Sequence, residues 1–118
     1  MATILLVEDD PLIAMAASDM IQDLGHDVIE AHSSERALAT LASGERVDLL
    51  MTDHGMPGMT GIELAREVRR LYPHLPILSA TGYSDLPEAR ELKIGCVFKP
   101  YVQEQLAQEI RKLLASRS

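Results

Sequence analysis

Near its amino end the chain reads ILLVEDDP, from Ile4 to Pro11, and this stretch decides the fold. Its first four residues are all large and apolar, without the alternation of apolar and polar residues that a strand exposed on one face shows. Such a run is typical of a central strand in a parallel sheet that helices cover on both faces. Three acidic residues follow at once, so we expect carboxylates at the end of this strand.

The same pattern, a short apolar run followed by a helical segment, recurs along the chain. The runs that predict five strands are Ile4–Val7, Val28–Ile29, Val47–Met51, Ile77–Leu78 and Cys96–Phe98. Repeated βα units predict an α/β protein with three layers, in which helices lie on both sides of a sheet. Helix four, over the segment from Ser84 to Ile94, is expected to be short or mobile, because Pro87 leaves only about two helical turns before Gly95.

Short polar residues and glycines mark the predicted helix ends. Asp10 is expected to cap the first helix, since the proline behind it is favoured in a first turn. Either Ser33 or Ser34 is expected to cap the second helix. Gly25 and Gly44 stand where these two helices should stop.

Length and composition predict one domain in a reducing compartment. The chain has 118 residues, 47% of them hydrophobic and 25% charged, which suits a single packed domain over residues 1–118, and we expect no output domain. No apolar stretch approaches the roughly 20 residues that cross a bilayer, and no secretion signal is visible, so we expect a cytoplasmic protein without a membrane partner. One cysteine, Cys96, cannot form an internal disulfide.

The charge balance argues against direct binding of nucleic acid. Eighteen acidic and 11 basic residues give a formal net charge of -7, which repels a phosphate backbone. The basic residues form no cluster along the sequence, and there is no tryptophan and only one phenylalanine on which bases could stack.

Polar residues follow four of the apolar runs, where the predicted strands end. They are Glu8, Asp9 and Asp10 after the first run, Asp53 after the third, Thr81 after the fourth and Lys99 after the fifth. Ligands of open parallel sheets bind at this edge. Two carboxylates 4 Å apart repel by about 4 kcal/mol at an effective dielectric of about 20, so a cation between them is stabilising. Because the ligand atoms are hard oxygens, the site favours Mg²⁺ or a similar divalent cation over zinc.

The same set of groups suits phosphoryl transfer. An aspartate can act as a nucleophile and hold a phosphoryl group as an aspartyl phosphate. Lys99 and Thr81 could then bind the phosphoryl oxygens. Taken alone, each of these two residues has an ordinary interpretation, as a surface lysine and a turn residue. Their coincidence with the acidic residues at four strand ends favours a common site.

These residues resemble the receiver domain of two-component response regulators, and the likeness covers essentially the whole chain. The matching motifs are Ile4–Pro11, Asp53 followed by Met56–Pro57 and Gly61, Ala80–Gly82, and Lys99–Pro100. The resemblance implies a doubly wound, flavodoxin-like fold with a five-stranded parallel sheet in the order 2-1-3-4-5. It also implies phosphorelay signalling, in which a phosphohistidine of a sensor kinase or a histidine phosphotransfer protein donates the phosphoryl group and hydrolysis removes it.

The resemblance implies a role for individual residues of the site. Asp53 would be the phosphoacceptor and also a ligand of Mg²⁺. Asp9 would bind the metal directly, Glu8 would bind it through water, and the backbone carbonyl of Gly55 would be a further ligand. Apart from adding and losing this phosphoryl group, such a domain is not an enzyme.

The switch that reports phosphorylation is predicted with less detail. Thr81 resembles the hydroxyl residue that moves toward the phosphoryl group, and Lys99 resembles the lysine that pairs with that group. The family usually has an aromatic residue three positions before the lysine, where this chain has Cys96. Tyr83 and Tyr101 are candidates to replace it. Ser79–Tyr83 is similar to the Phe-Ala-Thr-Gly-Tyr signature of a subfamily that includes single-domain regulators and receivers attached to kinases.

Three functions stay open at this point. The first is a receiver that is phosphorylated on Asp53 and switches a surface read by an unidentified downstream protein, either as a stand-alone protein or as part of a hybrid kinase. The second is a binding module that keeps the receiver fold but is indifferent to phosphorylation. The third is a phosphohydrolase with an aspartyl-phosphate intermediate, which Gly55 disfavours because such hydrolases carry a second acidic residue there.

Overall fold

The computed structural model describes residues 2–53, 61–81, 94–98 and 101–115. The strands are β1 (Thr3–Val7), β2 (Asp27–Ala31), β3 (Leu49–Asp53), β4 (Ile77–Thr81) and β5 (Gly95–Phe98). The helices in these ranges are α1 (Pro11–Asp23), α2 (Ser34–Ala42), α3 (Gly61–Leu71) and, after β5, α4 (Gln103–Ala115). The predicted short or mobile helix between β4 and β5 falls outside the described residues, apart from Ile94 at its end.

The five strands form one parallel sheet in the order β2-β1-β3-β4-β5. Strand β1 pairs with β2 on one side and with β3 on the other, and β4 joins β3 to β5. The predicted α/β fold with a doubly wound parallel sheet and this strand order is confirmed. That the chain is one domain without an output domain stays a prediction.

Apolar side chains are buried on both faces of the sheet, and β1 contributes to each face. Its residues from Ile4 to Val7 are at most 3% exposed. Alternate residues belong to different cores, because successive side chains of a strand point to opposite faces. Ile4 and Leu6 pack with residues of α1 and α4, whereas Leu5 and Val7 pack with residues of α2 and α3. The apolar run predicted this double burial correctly.

The predicted helix ends are also confirmed. Asp10 caps α1, and Ser33 rather than Ser34 caps α2, since its Oγ accepts a hydrogen bond from the Arg36 N–H at 3.1 Å. Gly25 and Gly44, just beyond the two helices, have φ angles of 96° and 87°. Glycine adopts this left-handed conformation without the steric penalty that other residues incur. None of the helices in the described ranges is long and apolar enough to cross a bilayer.

Strand β5 and helix α4 approach each other closely at one point. A Cβ atom built on Gly95 would lie 2.8 Å from the Leu113 Cδ1 atom. The absence of a side chain at Gly95 therefore lets the last helix pack directly on the strand.

A buried carboxylate ties β1 to the residue before β3 at the amino edge of the sheet. Asp48 is 5% exposed, and its Oδ2 accepts a hydrogen bond from the Thr3 N–H at 2.8 Å. The Asp48 N–H donates in turn to the Thr3 carbonyl at 2.8 Å. Its Oδ1 lies 3.4 Å from Nε of the exposed Arg46. The two residues thus exchange two hydrogen bonds where the central strands begin.

Replacing Asp48 by alanine should destabilise the fold. The substitution removes the side-chain acceptor of the Thr3 N–H in a partly buried place, and such a loss costs about 1–3 kcal/mol. The free energy of unfolding from urea titration measures this loss. Asp23→Ala, at an exposed position of α1, is the control and should change stability by less than about 0.5 kcal/mol. Equal losses in the two variants would contradict a structural role for Asp48.

His26 is expected to make the stability of the fold depend on pH. The Nδ1 atom of the half-buried His26 accepts a hydrogen bond from the Ala2 N–H at 3.2 Å, and burial lowers the pKa of this imidazole from its usual value of 6.5. The unfolded chain therefore binds the proton more readily than the folded protein. Stability from neutral His26 is complete above pH 6.5 and decreases as the pH falls toward the lowered pKa.

The His26→Gln variant should lose less stability than the parent chain when the pH is lowered through this interval. Urea titrations at a series of pH values measure the difference. Gln22→Ala, at an exposed position of α1 without a titratable group, is the control and should keep the parental pH dependence. The same pH dependence in the parent chain and in His26→Gln would show that His26 is not responsible.

Candidate functional site

The register of the sheet brings two predicted site positions to the same level. Val7, the last residue of β1, pairs with Thr52 on the neighbouring strand β3. Glu8 therefore follows β1 at the level where Asp53 ends β3. Neighbouring strands lie about 4.8 Å apart, so the backbones of these two acidic residues are close.

The ends of β4 and β5 lie at the same edge of the sheet as the ends of β1 and β3. The Cα partner of Asp53 on β4 is Ala80, and Thr81 is the last residue of that strand. Thr81 pairs with Phe98, which ends β5 and precedes Lys99 in the sequence. The described backbone thus brings the ends of β1, β3, β4 and β5 together at the carboxyl edge of the sheet. The side chains of Asp53 and Thr81 lie outside the described part of the structure.

Glu8 is held in place by its surroundings. Although it is acidic, it is only 4% exposed, and its Oε2 accepts a hydrogen bond from the Asp10 N–H at 3.1 Å. Its backbone N–H donates to the Ala31 carbonyl at 3.0 Å, which continues the pairing of β1 with β2. The position of this carboxylate is therefore set by both the loop and the sheet.

The two following aspartates have different environments. The Oδ1 atom of Asp10 accepts hydrogen bonds from the N–H groups of Leu12 at 2.9 Å and Ile13 at 3.4 Å. Asp10 is therefore occupied as the cap of α1, as the sequence predicted. Asp9 is exposed, and no hydrogen bond or ion pair joins its carboxylate to another described residue. Of the three acidic residues, Asp9 is the one that is exposed and whose carboxylate has no hydrogen bond to another described residue.

The donor groups at this edge fit a hard divalent cation. Glu8 and Asp9 supply carboxylate oxygens, the ligand type that Mg²⁺ prefers. Among the described residues, no three His, Cys, Asp or Glu side chains come together as a complete metal site. The sequence prediction also draws on Asp53 and Gly55, and the side chain of the first and the whole of the second lie outside the description.

Of the remaining predicted site residues, some are described by the structure and others are not. Lys99 and Tyr83 are not among the described residues. Tyr101 is described, and it is half-buried against the core formed with α1 and α4. Cys96 lies in β5 with Ser79 as its Cα partner, and its side chain is not described.

One neighbour of the site was not predicted from the sequence. Nδ1 of His32 lies 3.1 Å from the Glu8 carbonyl oxygen, and its Nε2 lies 3.7 Å from Oε1 of Glu30. His32 follows β2, which pairs with β1, so the contact joins residues 24 positions apart. The only signal available in the sequence was its place directly after a predicted strand.

Comparison with known families identifies the fold. The family model described as the response regulator receiver domain matches residues 4–111. The chain belongs to this family. The match extends from β1 into α4 and so includes the whole carboxyl edge of the sheet.

Two curated proteins illustrate the range of relatives. The chemotaxis protein CheY of Pseudomonas aeruginosa is 37% identical over 117 residues, covering 93% of this chain and 94% of CheY. The sensor kinase CckA of Brucella abortus is 36% identical over 118 residues, covering 96% of this chain but only 12% of the kinase. Receiver domains like this one therefore occur both in small regulators and inside much larger signalling proteins.

A solved structure gives the same result. The response regulator protein TrrA of Thermotoga maritima, in complex with Mg²⁺ and BeF, superposes with a TM-score of 0.86 at 32% sequence identity. The alignment covers 96% of this chain and 99% of TrrA. The predicted membership of the receiver family is confirmed by both sequence and structure.

The division of roles between Asp9 and Asp10 predicts different effects on stability. Asp10→Ala should lower the free energy of unfolding by about 1 kcal/mol, because α1 loses the acceptor for its first N–H groups. Asp10→Asn should retain most of this stability, since asparagine caps helices equally well. Asp9→Ala is the matched control and should have little effect. A larger loss from Asp9→Ala than from Asp10→Ala, in urea titrations, would contradict this assignment.

Proposed function

We propose that this receiver domain accepts a phosphoryl group on Asp53 from a phosphohistidine and thereby changes a surface that another protein reads. The observation that supports the proposal is the register at the carboxyl edge. It sets Glu8 beside the end of β3, where Asp53 lies, and Thr81 at the end of the next strand. The family membership of the chain supports the same chemistry.

The transfer itself is a displacement at phosphorus. An Oδ atom of Asp53 forms a bond to phosphorus while the bond from phosphorus to the imidazole nitrogen of the donor histidine breaks. The histidine retains the electron pair of that bond and, because its other ring nitrogen carries a proton, is released as a neutral imidazole. Water later attacks the aspartyl phosphate, which restores the carboxylate and releases inorganic phosphate.

The negative charge on the phosphoryl oxygens during transfer requires a cation and a lysine nearby. Mg²⁺ would be held by Asp9, Asp53 and the Gly55 carbonyl, with Glu8 contributing through water, and when bound it would neutralise charge on the phosphoryl oxygens. The buried Glu8, fixed by the Asp10 N–H, suits an indirect role, because its carboxylate already accepts a hydrogen bond. The exposed Asp9 suits direct coordination.

The remaining site residues would serve the phosphorylated state. Lys99 would pair with a phosphoryl oxygen, and the hydroxyl of Thr81 would donate a hydrogen bond to another. Phosphorylation adds a charge of about -1.5 to -2, which is large enough to shift a two-state surface. Tyr83 and Tyr101 are the candidates for the aromatic residue of that switch, since Cys96 stands at its usual position. Tyr101 lies half-buried two residues before α4, where a change in packing would reach the helix.

The partners follow from the same proposal. The phosphoryl donor would be a histidine kinase or a histidine phosphotransfer protein, in keeping with the sensor kinase among the relatives. The reader of the switched surface would be a downstream protein in the cytoplasm, and the domain would turn over no separate substrate. Its acidic balance, with a net charge of -7, disfavours nucleic acid as the direct partner.

The mass of the intact protein tests the proposal. After incubation with acetyl phosphate and Mg²⁺, the chain should gain one phosphoryl group, and it should gain none when the metal is chelated. Asp53→Asn should remain unmodified, because an amide cannot form the acyl phosphate. An adduct that persists in Asp53→Asn would refute the assignment of the acceptor.

A matched pair of variants tests the metal site. Asp9→Asn and Asp10→Asn remove the same charge from adjacent exposed positions. Asp9→Asn should slow Mg²⁺-dependent phosphorylation by more than about tenfold. Replacing a residue that only hydrogen-bonds to a metal ligand typically costs at least about tenfold in activity, and a direct ligand should cost more. Asp10→Asn should be phosphorylated at nearly the parental rate, because it keeps the cap of α1. Equal rates in the two variants would exclude Asp9 as the direct ligand.

Absence of any adduct in the folded parent chain would favour the binding module that is indifferent to phosphorylation. Repeated release of phosphate from a phosphomonoester would favour the phosphohydrolase.

A further inference from the structure

A cleft opens at the amino edge of the sheet, away from the acidic residues that follow β1. Its volume is about 370 Å³, within the range of about 300–1,000 Å³ typical of small-molecule pockets. The residues that line it are Leu41, Glu45, Val47, Asp48, Tyr72, His74, Leu75 and Pro76. They belong to the end of α2, the connection into β3 and the connection from α3 into β4.

The wall formed by the α3–β4 connection is fixed by hydrogen bonds. Nη1 of Arg69 donates to the carbonyls of Pro73 at 3.0 Å and Leu75 at 2.8 Å. The Pro76 carbonyl accepts from the Leu50 N–H at 2.9 Å, which joins this connection to β3. These contacts tie the wall to α3 and to β3.

The opposite wall is anchored at its two ends. The Gly44 N–H donates to the Leu41 carbonyl at 3.4 Å, which closes the end of α2. Further along, Asp48 exchanges its two hydrogen bonds with Thr3 on β1. Because hydrogen bonds anchor both walls, a ligand entering the cleft would have less of the chain to order.

The residues that line the cleft favour a ligand with an apolar part and a positively charged part. Leu41, Val47, Tyr72, Leu75 and Pro76 offer an apolar surface on which a hydrophobic body could be buried. Two acidic residues, Glu45 and Asp48, line the same space, and the Asp48 carboxylate already accepts hydrogen bonds from Thr3 and Arg46.

Helix ends strengthen the negative potential of this cleft. The carboxyl termini of α2 and α3 both lie at this edge, and each helix carries a partial negative charge of about half an electron there. The last turn of α3 has Arg69 and Arg70 to offset that charge, whereas the last turn of α2 has no basic residue. Arg46 offsets part of the charge of Asp48, and Glu45 stands exposed just beyond α2.

We propose that this cleft binds a small organic cation, with its apolar part against the leucines, Val47 and Tyr72 and its ammonium group beside Glu45. This binding is separate from phosphorylation, because the cleft lies at the opposite edge of the sheet from Asp53. Strand β3 spans five residues between the two edges, about 13–17 Å. A ligand in the cleft therefore leaves the phosphorylation edge accessible.

Amide chemical shifts test the proposal directly. The ¹⁵N-labelled chain is titrated with 2-phenylethylammonium chloride up to about 20 mM, which covers the millimolar Kd expected of so small a ligand. Saturable shifts should appear at the amides of Glu45, Asp48, His74 and Leu75. The neutral 2-phenylethanol and the anionic phenylacetate have similar bodies, and both should bind more weakly than the cation.

Two variants that each lose one negative charge distinguish binding at the cleft from a general effect of the negative net charge of the chain. Glu45→Gln should weaken binding of 2-phenylethylammonium by about two- to fivefold, the effect of one exposed ion pair. Glu104→Gln, exposed on α4, should leave the Kd unchanged. Higher salt should reduce the difference between the parent chain and Glu45→Gln, because exposed charges are screened.

The proposal would be overturned by an absence of saturable shifts at the cleft. It would also be overturned if 2-phenylethanol bound as tightly as the cation, or if Glu104→Gln weakened binding as much as Glu45→Gln. None of these results depends on whether Asp53 accepts a phosphoryl group, so this proposal and the proposed function can fail separately.

Discussion

Strand β1 is buried on both faces and paired on both edges, and the position of the acidic residues after it depends on this double constraint. Ile4 and Leu6 fill one core while Leu5 and Val7 fill the other. A shift of one residue in register would exchange the two sets and disturb both cores. The backbone at Glu8 is thereby fixed against the end of β3, and the proposed metal site needs a carboxylate held in a defined position.

The sequence predicted those features that depend on local chemistry. The uniform apolar run of β1 indicated a central strand, and Asp10, Gly25 and Gly44 marked helix ends that the structure confirms. The strand order came from the family resemblance. Contacts between distant residues were not predictable, because they depend on how the strands align. His32 reaches the Glu8 carbonyl from 24 positions away, and Asp48 binds Thr3 from 45 positions away.

The two edges of the sheet differ in their electrostatics because every βα unit runs in the same direction. Helices begin at the carboxyl edge, where their amino termini favour negative charge such as carboxylates and phosphoryl groups. Helices end at the amino edge, where their carboxyl termini favour positive charge. The acidic residues after β1 therefore lie in a field that partly offsets their repulsion. Glu45 lies at an edge whose field adds to its own charge.

Gly95 and Leu113 lie so close together that a side chain at Gly95 would displace the end of the leucine side chain. A methyl group on Gly95 would come within 2.8 Å of the Leu113 Cδ1 atom, so the end of this side chain, which packs against the core formed with α1 and α4, would have to shift. A larger residue at Gly95 should be tolerated when the residue at Leu113 becomes smaller. Among related receiver domains, an alanine or serine at the position of Gly95 is therefore expected to accompany a residue smaller than leucine at the position of Leu113. Such covariation would result from the close packing of α4 on β5.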